Sequence, residues 1–291
     1  MKKFTYTAIG RYPGDKLKGK ERYKKLYHYT SFDTFVKIWL SKKLRYSLVT
    51  NVNDIQEAES LSASVPHPNL MAVIYAYHDI RKKYKQISFT MDFDSYMRGC
   101  MSPMMWGHYA DKRKGVCIEI DYEKLSLPKD CYAAPIKYKM ILNKSRFIDS
   151  GVLTIKQIHQ FIKKHKSDIF FTKQKCWEGE NEYRIISNQD EYLDISNAIT
   201  AVYLTSCDST ECLLTEQLVG DSVPVKFLHY IGGVGNKALP MISDTRECRM
   251  QKESAKTNPN NIMVDWSKKA MDLYEQHKND EDFILGLHIL N

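Results

Sequence analysis

The chain has 291 residues, 43% of them hydrophobic, and a formal net charge of +8. This length and composition suit one large or two small domains with a substantial core, and the charge favours polyanionic partners such as RNA or DNA, although it also simply keeps a protein soluble. No segment approaches the apolar length that spans a bilayer, and no apolar stretch follows the lysines at positions 2 and 3. We therefore expect a cytoplasmic globular protein without membrane segments.

The seven cysteines are scattered along the chain. They form no C-x-x-C pair and show no spacing typical of metal ligands. Their odd number and their scatter are typical of reduced thiols in a cytoplasm, so we expect neither a disulfide framework nor a zinc finger.

The first predicted strand carries the first candidate residues. Residues 1–25 are polar and basic and are interpreted as an N-terminal arm. Residues 26–30 then predict a strand, and Ser31 can cap the helix that follows. His28 lies at the end of this strand, where a histidine is most often structural and bonded to a backbone carbonyl.

Hydroxyl side chains mark a second short strand, at residues 87–90. Ser88 and Thr90 would share one of its faces, and hydroxyls at this spacing can line a cleft. A short helix that carries Tyr109 follows. Residues 116–121 then predict an apolar strand in the centre of a sheet.

The segment 173–186 has the most informative charge pattern. Glu180 and Glu182 lie where a turn enters a strand, so both carboxylates would point to the same face. Two carboxylates on one face repel each other unless Arg184, a cation or a substrate compensates them. The same E-x-E pattern is also typical of exposed strand edges with surface salt bridges.

Further strands are predicted at residues 199–204 and 225–231. Together with the earlier elements, they indicate a mixed α+β fold with a split or two-sheet core and surrounding helices. The compact pattern ends at a glycine-rich turn, so we expect a domain at 26–235 and a helical C-terminal extension at 236–291.

Several spaced motifs resemble an uncharacterised bacterial domain family that is found in toxin and phage-defence settings. They are H-Y-T at 28–30, N-D at 53–54, S-F-T at 88–90, M-W-x-H-Y-A-D-x-x-x-G-V-C at 105–117 and K-Q-x-x-W-x-x-E-x-E-Y-R at 173–184. The order of a histidine, S-x-T and E-x-E is also similar to the ADP-ribosyltransferase superfamily.

The second resemblance implies that residues 26–235 form an ADP-ribosyltransferase-like domain that binds NAD in a cleft between two small sheets. His28 would contact the adenosine-side ribose, and Ser88 would support the pocket. The full set of NAD-binding candidates is His28, Tyr29, Thr30, Ser88, Thr90 and Tyr109.

The resemblance also implies two catalytic residues. Glu182 would stabilise the positive charge that develops as nicotinamide leaves, and Glu180 would orient or deprotonate the acceptor. The acceptor would be nucleic acid, RNA ahead of DNA, or protein, and the setting would also allow a cognate antitoxin. The motif with His108 and Asp111 has no counterpart in the superfamily, which leaves the reaction open.

Two other functions fit the same residues. In a metal-dependent nuclease, Asp54, Glu180 and Glu182 would bind a divalent ion beside Lys173 or Lys175. In a basic, non-catalytic nucleic-acid-binding module, the E-x-E-Y-R segment would be an internal ion-pair network.

Overall fold

The computed structural model describes residues 17–51, 54, 68–95, 97–140, 154–232, 238–257, 271–272 and 275–276. Most of the predicted basic arm, Asn53 of the N-D motif and most of the predicted C-terminal extension lie outside these residues.

The described residues form seven α-helices and thirteen strands, most of them short. The helices are α1 Phe32–Ser41, α2 Pro68–Arg81, α3 Pro103–Tyr109, α4 Ile155–Lys164, α5 Lys166–Phe170, α6 Thr210–Val219 and α7 Thr245–Thr257. The strands are β1 Lys25–Thr30, β2 Lys43–Arg45, β3 Ser47–Leu48, β4 Lys85–Met91, β5 Val116–Asp121, β6 Tyr132–Pro135, β7 Lys137–Lys139, β8 Thr172–Gln174, β9 Glu182–Ser187, β10 Tyr192–Asp194, β11 Ile199–Leu204, β12 Val225–Gly232 and β13 Ala238–Asp244. In this part of the chain, every helix is too short or too polar to cross a membrane.

The strands confirm a mixed α+β fold built on one large sheet. Nine strands belong to it, in the order β13-β12-β11-β5-β1-β4-β9-β6, with β3 added beside β4. Neighbouring strands are antiparallel except β11 and β12, which are parallel. Two small two-stranded sheets, β10-β2 and β7-β8, flank it.

The sequence predicts a split or two-sheet core, and the described strands form one large sheet because β1 and β4 join its two halves. This junction is narrow. Its pairing covers Leu26 with Met91 and Tyr27 with Thr90. Beyond these pairs β1 continues alongside β5 and β4 continues alongside β9. We call this junction the seam.

The sheet also continues past residue 235, where the sequence predicts a domain boundary. β12 and β13 pair over seven residues, from Lys226 with Asp244 to Gly232 with Ala238. Residues 238–244 therefore add an edge strand to the same sheet, and helix α7 follows directly.

Alternation along the strands gives the sheet two apolar faces. On β5, Val116, Ile118 and Ile120 pack into the core cluster that also holds Phe35 of α1. Cys117, between them, belongs to a second cluster on the opposite face, around α3. A third cluster packs α2 and α4 against the β9 end of the sheet. Both faces are therefore covered by helices.

Helix boundaries follow the capping rules. Ser31 accepts a hydrogen bond from the Thr34 backbone N–H at 3.4 Å, and Ser102 accepts one from Met105 N–H at the same distance. Pro103, in the first turn of α3, lacks the N–H that a helix start leaves unpaired. The predicted Ser31 cap is confirmed, and Ser102 caps α3 in the same way.

Two glycines near the candidate site provide a matched test of packing. A Cβ on Gly115 would lie 2.1 Å from the Thr30 carbonyl oxygen, whereas a Cβ on Gly107 in α3 would meet nothing within 4 Å. We expect Gly115→Ala to lower the free energy of unfolding by about 1–3 kcal/mol, because backbone atoms must move. Gly107→Ala should raise it by about 0.5–1 kcal/mol, since alanine favours the helix. Urea denaturation measures both, and an unaltered Gly115→Ala protein would contradict the close approach.

Candidate functional site

A cleft opens where β1 and β4 separate beyond the seam. It encloses about 860 Å³, including solvent space at its mouth. Among the predicted site residues, seven line it: His28, Tyr29, Ser88, Thr90, Tyr109, Glu180 and Glu182. The fold therefore brings together residues that are separated by up to 154 positions in the sequence.

The floor of the cleft is formed by β4 and β9. Ser88 pairs with Arg184, and Thr90 pairs with Glu182 across the two strands. Gln86, two residues before Ser88, shares their face, and we call these five residues the polar floor. The residues between them on both strands lie in the hydrophobic core. Alternation along β4 and β9 thus places polar side chains on the face toward the cleft and apolar side chains on the opposite face.

Glu182 and Arg184 form a buried, bidentate ion pair. Arg184 donates from Nε to Glu182 Oε1 at 2.7 Å and from Nη2 to Oε2 at 2.9 Å. Its Nη1 donates to the Phe170 carbonyl oxygen at 2.8 Å. Glu182 is 3% exposed and Arg184 is 1% exposed. The arginine is therefore fixed from both sides and holds the carboxylate in one orientation.

The environment of Glu182 keeps its carboxylate ionised. Burial by itself would raise its pKa. The charge and hydrogen bonds of Arg184, the charge of Lys173 and a hydrogen bond from the Ser88 hydroxyl outweigh burial, so the pKa is lowered. The result is a negative charge in the floor at neutral pH.

Lys173 of β8 lies between the two glutamates. Its Nζ donates to Glu180 Oε2 at 2.6 Å and is 3.7 Å from Glu182 Oε2. Tyr109 donates to the other oxygen, Glu180 Oε1, at 2.5 Å. The repulsion expected within E-x-E is thus offset by Lys173 and Arg184 together. Sequence reasoning named Lys173 only as a neighbour of a metal ion, since its pairing depends on the fold.

Asn181 separates the two glutamates in a left-handed backbone conformation, with φ 46°. Asparagine tolerates this conformation better than most residues. Its Nδ2 donates to the carbonyl oxygens of Met91 and Asp92, both at 3.0 Å, and its Oδ1 accepts from Arg22. These bonds fix the turn between the glutamates. The sequence indicates the turn but not its partners.

His28 bridges the open side of the seam. Its Nδ1 lies 3.3 Å from the Ser88 carbonyl oxygen, and because a carbonyl only accepts, Nδ1 carries the proton. Burial lowers the pKa of His28, and the bond to the carbonyl offsets only part of this effect. The neutral ring therefore links β1 to β4 beyond the last paired residues.

The lowered pKa of His28 makes stability depend on pH. The folded state binds fewer protons than the unfolded state, so this contribution is complete above the ordinary pKa of 6.5 and is lost as pH falls below it. We expect His28→Gln to lose less stability than wild type between about pH 8 and about pH 5 in urea denaturation. His108→Gln, at an exposed histidine outside the cleft lining, should behave as wild type. Equal losses in wild type and His28→Gln would contradict this assignment.

Three other residues predicted to bind NAD are buried in the fold. Tyr29 lines the cleft, but its hydroxyl donates to the Gly99 carbonyl at 2.6 Å and its ring packs edge-to-face on Trp106. Thr30 is buried and pairs with Val116, outside the cleft lining. Thr90 is 1% exposed, and its Oγ1 has no hydrogen-bond partner among the residues that the structure describes.

The residues proposed for a metal site do not meet. Asp54 is buried but is not in the cleft lining with Glu180 and Glu182. Within the described ranges, no three His, Cys, Asp or Glu side chains are grouped so that they could hold a metal ion. Asp111 and Lys175 are exposed and likewise lie outside the cleft lining.

These features define a mixed α+β protein with a charged, polar cleft at an opening of its sheet. A protein-family model described as "Protein of unknown function (DUF2971)" matches residues 105–185. The matched segment contains Tyr109, Lys173, Glu180 and the Glu182–Arg184 pair. This match agrees with the resemblance to an uncharacterised domain family and makes no connection to ADP-ribosyltransferases. No match was found among curated proteins or solved structures.

Proposed function

We propose that the cleft binds NAD and that the protein transfers ADP-ribose from it to an acceptor. The observation that carries this proposal is the buried Glu182, held by Arg184 in the floor of a cleft that His28 also lines. In this proposal, the cleft that opens in the single sheet beyond the seam corresponds to the NAD-binding cleft between the two sheets of ADP-ribosyltransferases.

The cleft suits the polarity of such a ligand. Its inner space of about 230 Å³ is smaller than the roughly 300–1,000 Å³ common for small-molecule sites, so part of NAD would lie in the open mouth of the cleft. Arg45 at its rim offers a positive charge to phosphates.

The two glutamates would divide the chemistry. As the bond between the ribose carbon and the nicotinamide nitrogen breaks, positive charge develops on the carbon and nicotinamide leaves with the bonding electrons. Glu182 opposes this charge without reorganising, since Arg184 already fixes it. Glu180 would orient the acceptor nucleophile and take its proton as the new bond forms to the same carbon.

We infer that the acceptor is nucleic acid, RNA ahead of DNA, with protein as the other candidate. The net charge of +8 supports this choice. So does α4, which buries Ile158, Phe161 and Ile162 and exposes Lys156, Lys163 and Lys164. In a toxin or phage-defence setting, such transfer would inactivate an essential acceptor.

The direct test uses NAD labelled in its ADP-ribose portion. Purified protein is incubated with total RNA, single-stranded DNA or a protein extract, and acceptor label and free nicotinamide are measured together. Label in one pool, with an equal amount of nicotinamide released, supports transfer. If no pool gains label and no nicotinamide appears, while added magnesium or manganese brings cleavage of nucleic acid, the proposal fails and the nuclease replaces it.

A further inference from the structure

We propose that Gln86 selects the carboxamide of NAD through a free acceptor oxygen, so that the cleft discriminates against dinucleotides whose pyridine substituent has no N–H. This inference rests on the proposed function. Gln86 lies on β4 in the polar floor, lines the cleft and is only 7% exposed. Its Oε1 is shielded from solvent and has no hydrogen-bond partner among the described residues. A ligand would therefore reach this oxygen through a small turn of the amide toward the cleft. A buried polar atom of this kind costs stability unless another group satisfies it.

The contacts around Ser88 determine which atom of the Gln86 amide has no hydrogen-bond partner. Ser88 lies on the same face as Glu182 and contributes to the lowered pKa of its carboxylate, so the Ser88 hydroxyl directs its one proton toward that charge. Ser88 Oγ can then only accept from Gln86, whose Nε2 lies 3.4 Å away. The amide nitrogen therefore faces Ser88, and Oε1 remains as an acceptor that requires a donor.

The Gln86 amide lies on the side of the cleft where the nicotinamide end of NAD would bind. Gln86 Oε1 belongs to an amide that is two hydrogen bonds away from the Glu182 carboxylate. If Glu182 acts beside the ribose carbon, the group within reach of Gln86 is the substituent on the departing pyridine ring. The carboxamide of nicotinamide offers an N–H there. A carboxylate at neutral pH or a methyl ketone offers none.

The first experiment needs no variant. Isothermal titration calorimetry compares wild-type protein with NAD, with nicotinic acid adenine dinucleotide and with 3-acetylpyridine adenine dinucleotide. The latter keeps the carbonyl but replaces the amide nitrogen by a methyl group. We expect both analogues to bind at least about tenfold more weakly than NAD, because each leaves a buried acceptor unpaired. Binding of the methyl ketone as tight as that of NAD would overturn the inference.

The second experiment assigns the discrimination to Gln86. Gln86→Met keeps an unbranched side chain of similar length without polar amide atoms, and the ratio of affinities for NAD and the methyl ketone should fall to within about threefold. Gln217→Met, at an exposed glutamine of α6, is the matched control and should keep the wild-type ratio. Thermal melting checks that both variants are folded.

The outcomes distinguish a failure of the role of Gln86 from a failure of the proposed function. If wild type binds none of the three dinucleotides, the proposed function fails. If wild type prefers NAD and a folded Gln86→Met keeps the same preference, NAD binding stands and the role of Gln86 is wrong. Should Gln86→Met not fold, the wild-type comparison with the methyl ketone still decides whether an N–H donor is required.

Discussion

Glu182→Gln should reduce ADP-ribosyl transfer by about 10²–10³-fold, which is the range observed when one preorganised electrostatic contact with a transition state is removed. Glutamine has nearly the same shape but no charge to oppose the positive charge on the ribose carbon. The initial rate of nicotinamide release at saturating NAD measures the effect, with the acceptor that the labelling experiment identifies.

Glu178→Gln is the matched control, because Glu178 is an exposed glutamate of the same segment. It should keep transfer within about twofold of wild type, as surface substitutions usually do. Glu182→Gln also leaves Arg184 without its carboxylate, so its thermal melting must show that the protein is folded at the assay temperature. A folded Glu182→Gln that transfers at the wild-type rate would exclude the assigned role.

Arg184→Met should lower the free energy of unfolding by about 3–5 kcal/mol, the largest effect on stability that we expect. The change leaves the Glu182 charge buried without its bidentate partner and also removes the bond to the Phe170 carbonyl. Arg184→Lys should recover only part of the loss, since an ammonium cannot donate in the same planar, two-pronged geometry. Urea denaturation at neutral pH measures both variants.

The control for Arg184 is an arginine whose ion pair is exposed. Arg246 bonds Asp221 at 3.0 Å on the surface, and Arg246→Met should change stability by no more than about 1 kcal/mol. A double variant, Glu182→Gln with Arg184→Met, removes both charges and should be more stable than Arg184→Met alone. If Arg184→Met costs no more than Arg246→Met, the buried pair does not support the floor.

The local patterns of the sequence predicted much of the sheet. Strands β1, β5 and β9 occur where β-branched and aromatic runs indicate them, and the Ser31 cap is confirmed. Glu180 and Glu182 both line the cleft, but Glu180 ends a 3-10 turn and the strand begins only at Glu182, so alternation along a strand does not account for their closeness. The strand and cap predictions succeed because they depend on residues that are close in the sequence.

Predictions that depend on distant contacts could not be made in the same way. The contacts of Lys173 with both glutamates depend on the position of β8, which pairs with β7 in a separate small sheet. The unpaired oxygen of Gln86 emerges only once the contact of its amide nitrogen with Ser88 is known. The sequence left open a split or a two-sheet core for a related reason, since two residue pairs at the seam decide whether the halves join.

Beyond the seam, the width of the cleft is set by side chains. One contact joins His28 to the Ser88 carbonyl, and another joins Tyr109 to Glu180. Hydrogen bonds of this kind contribute about 0.5–1.5 kcal/mol each, or somewhat more to a charged group. Opening the cleft further therefore requires the loss of these contacts rather than of a backbone ladder. Thicker ligands can thus be admitted at small energetic cost, while the ion pair in the floor keeps its geometry.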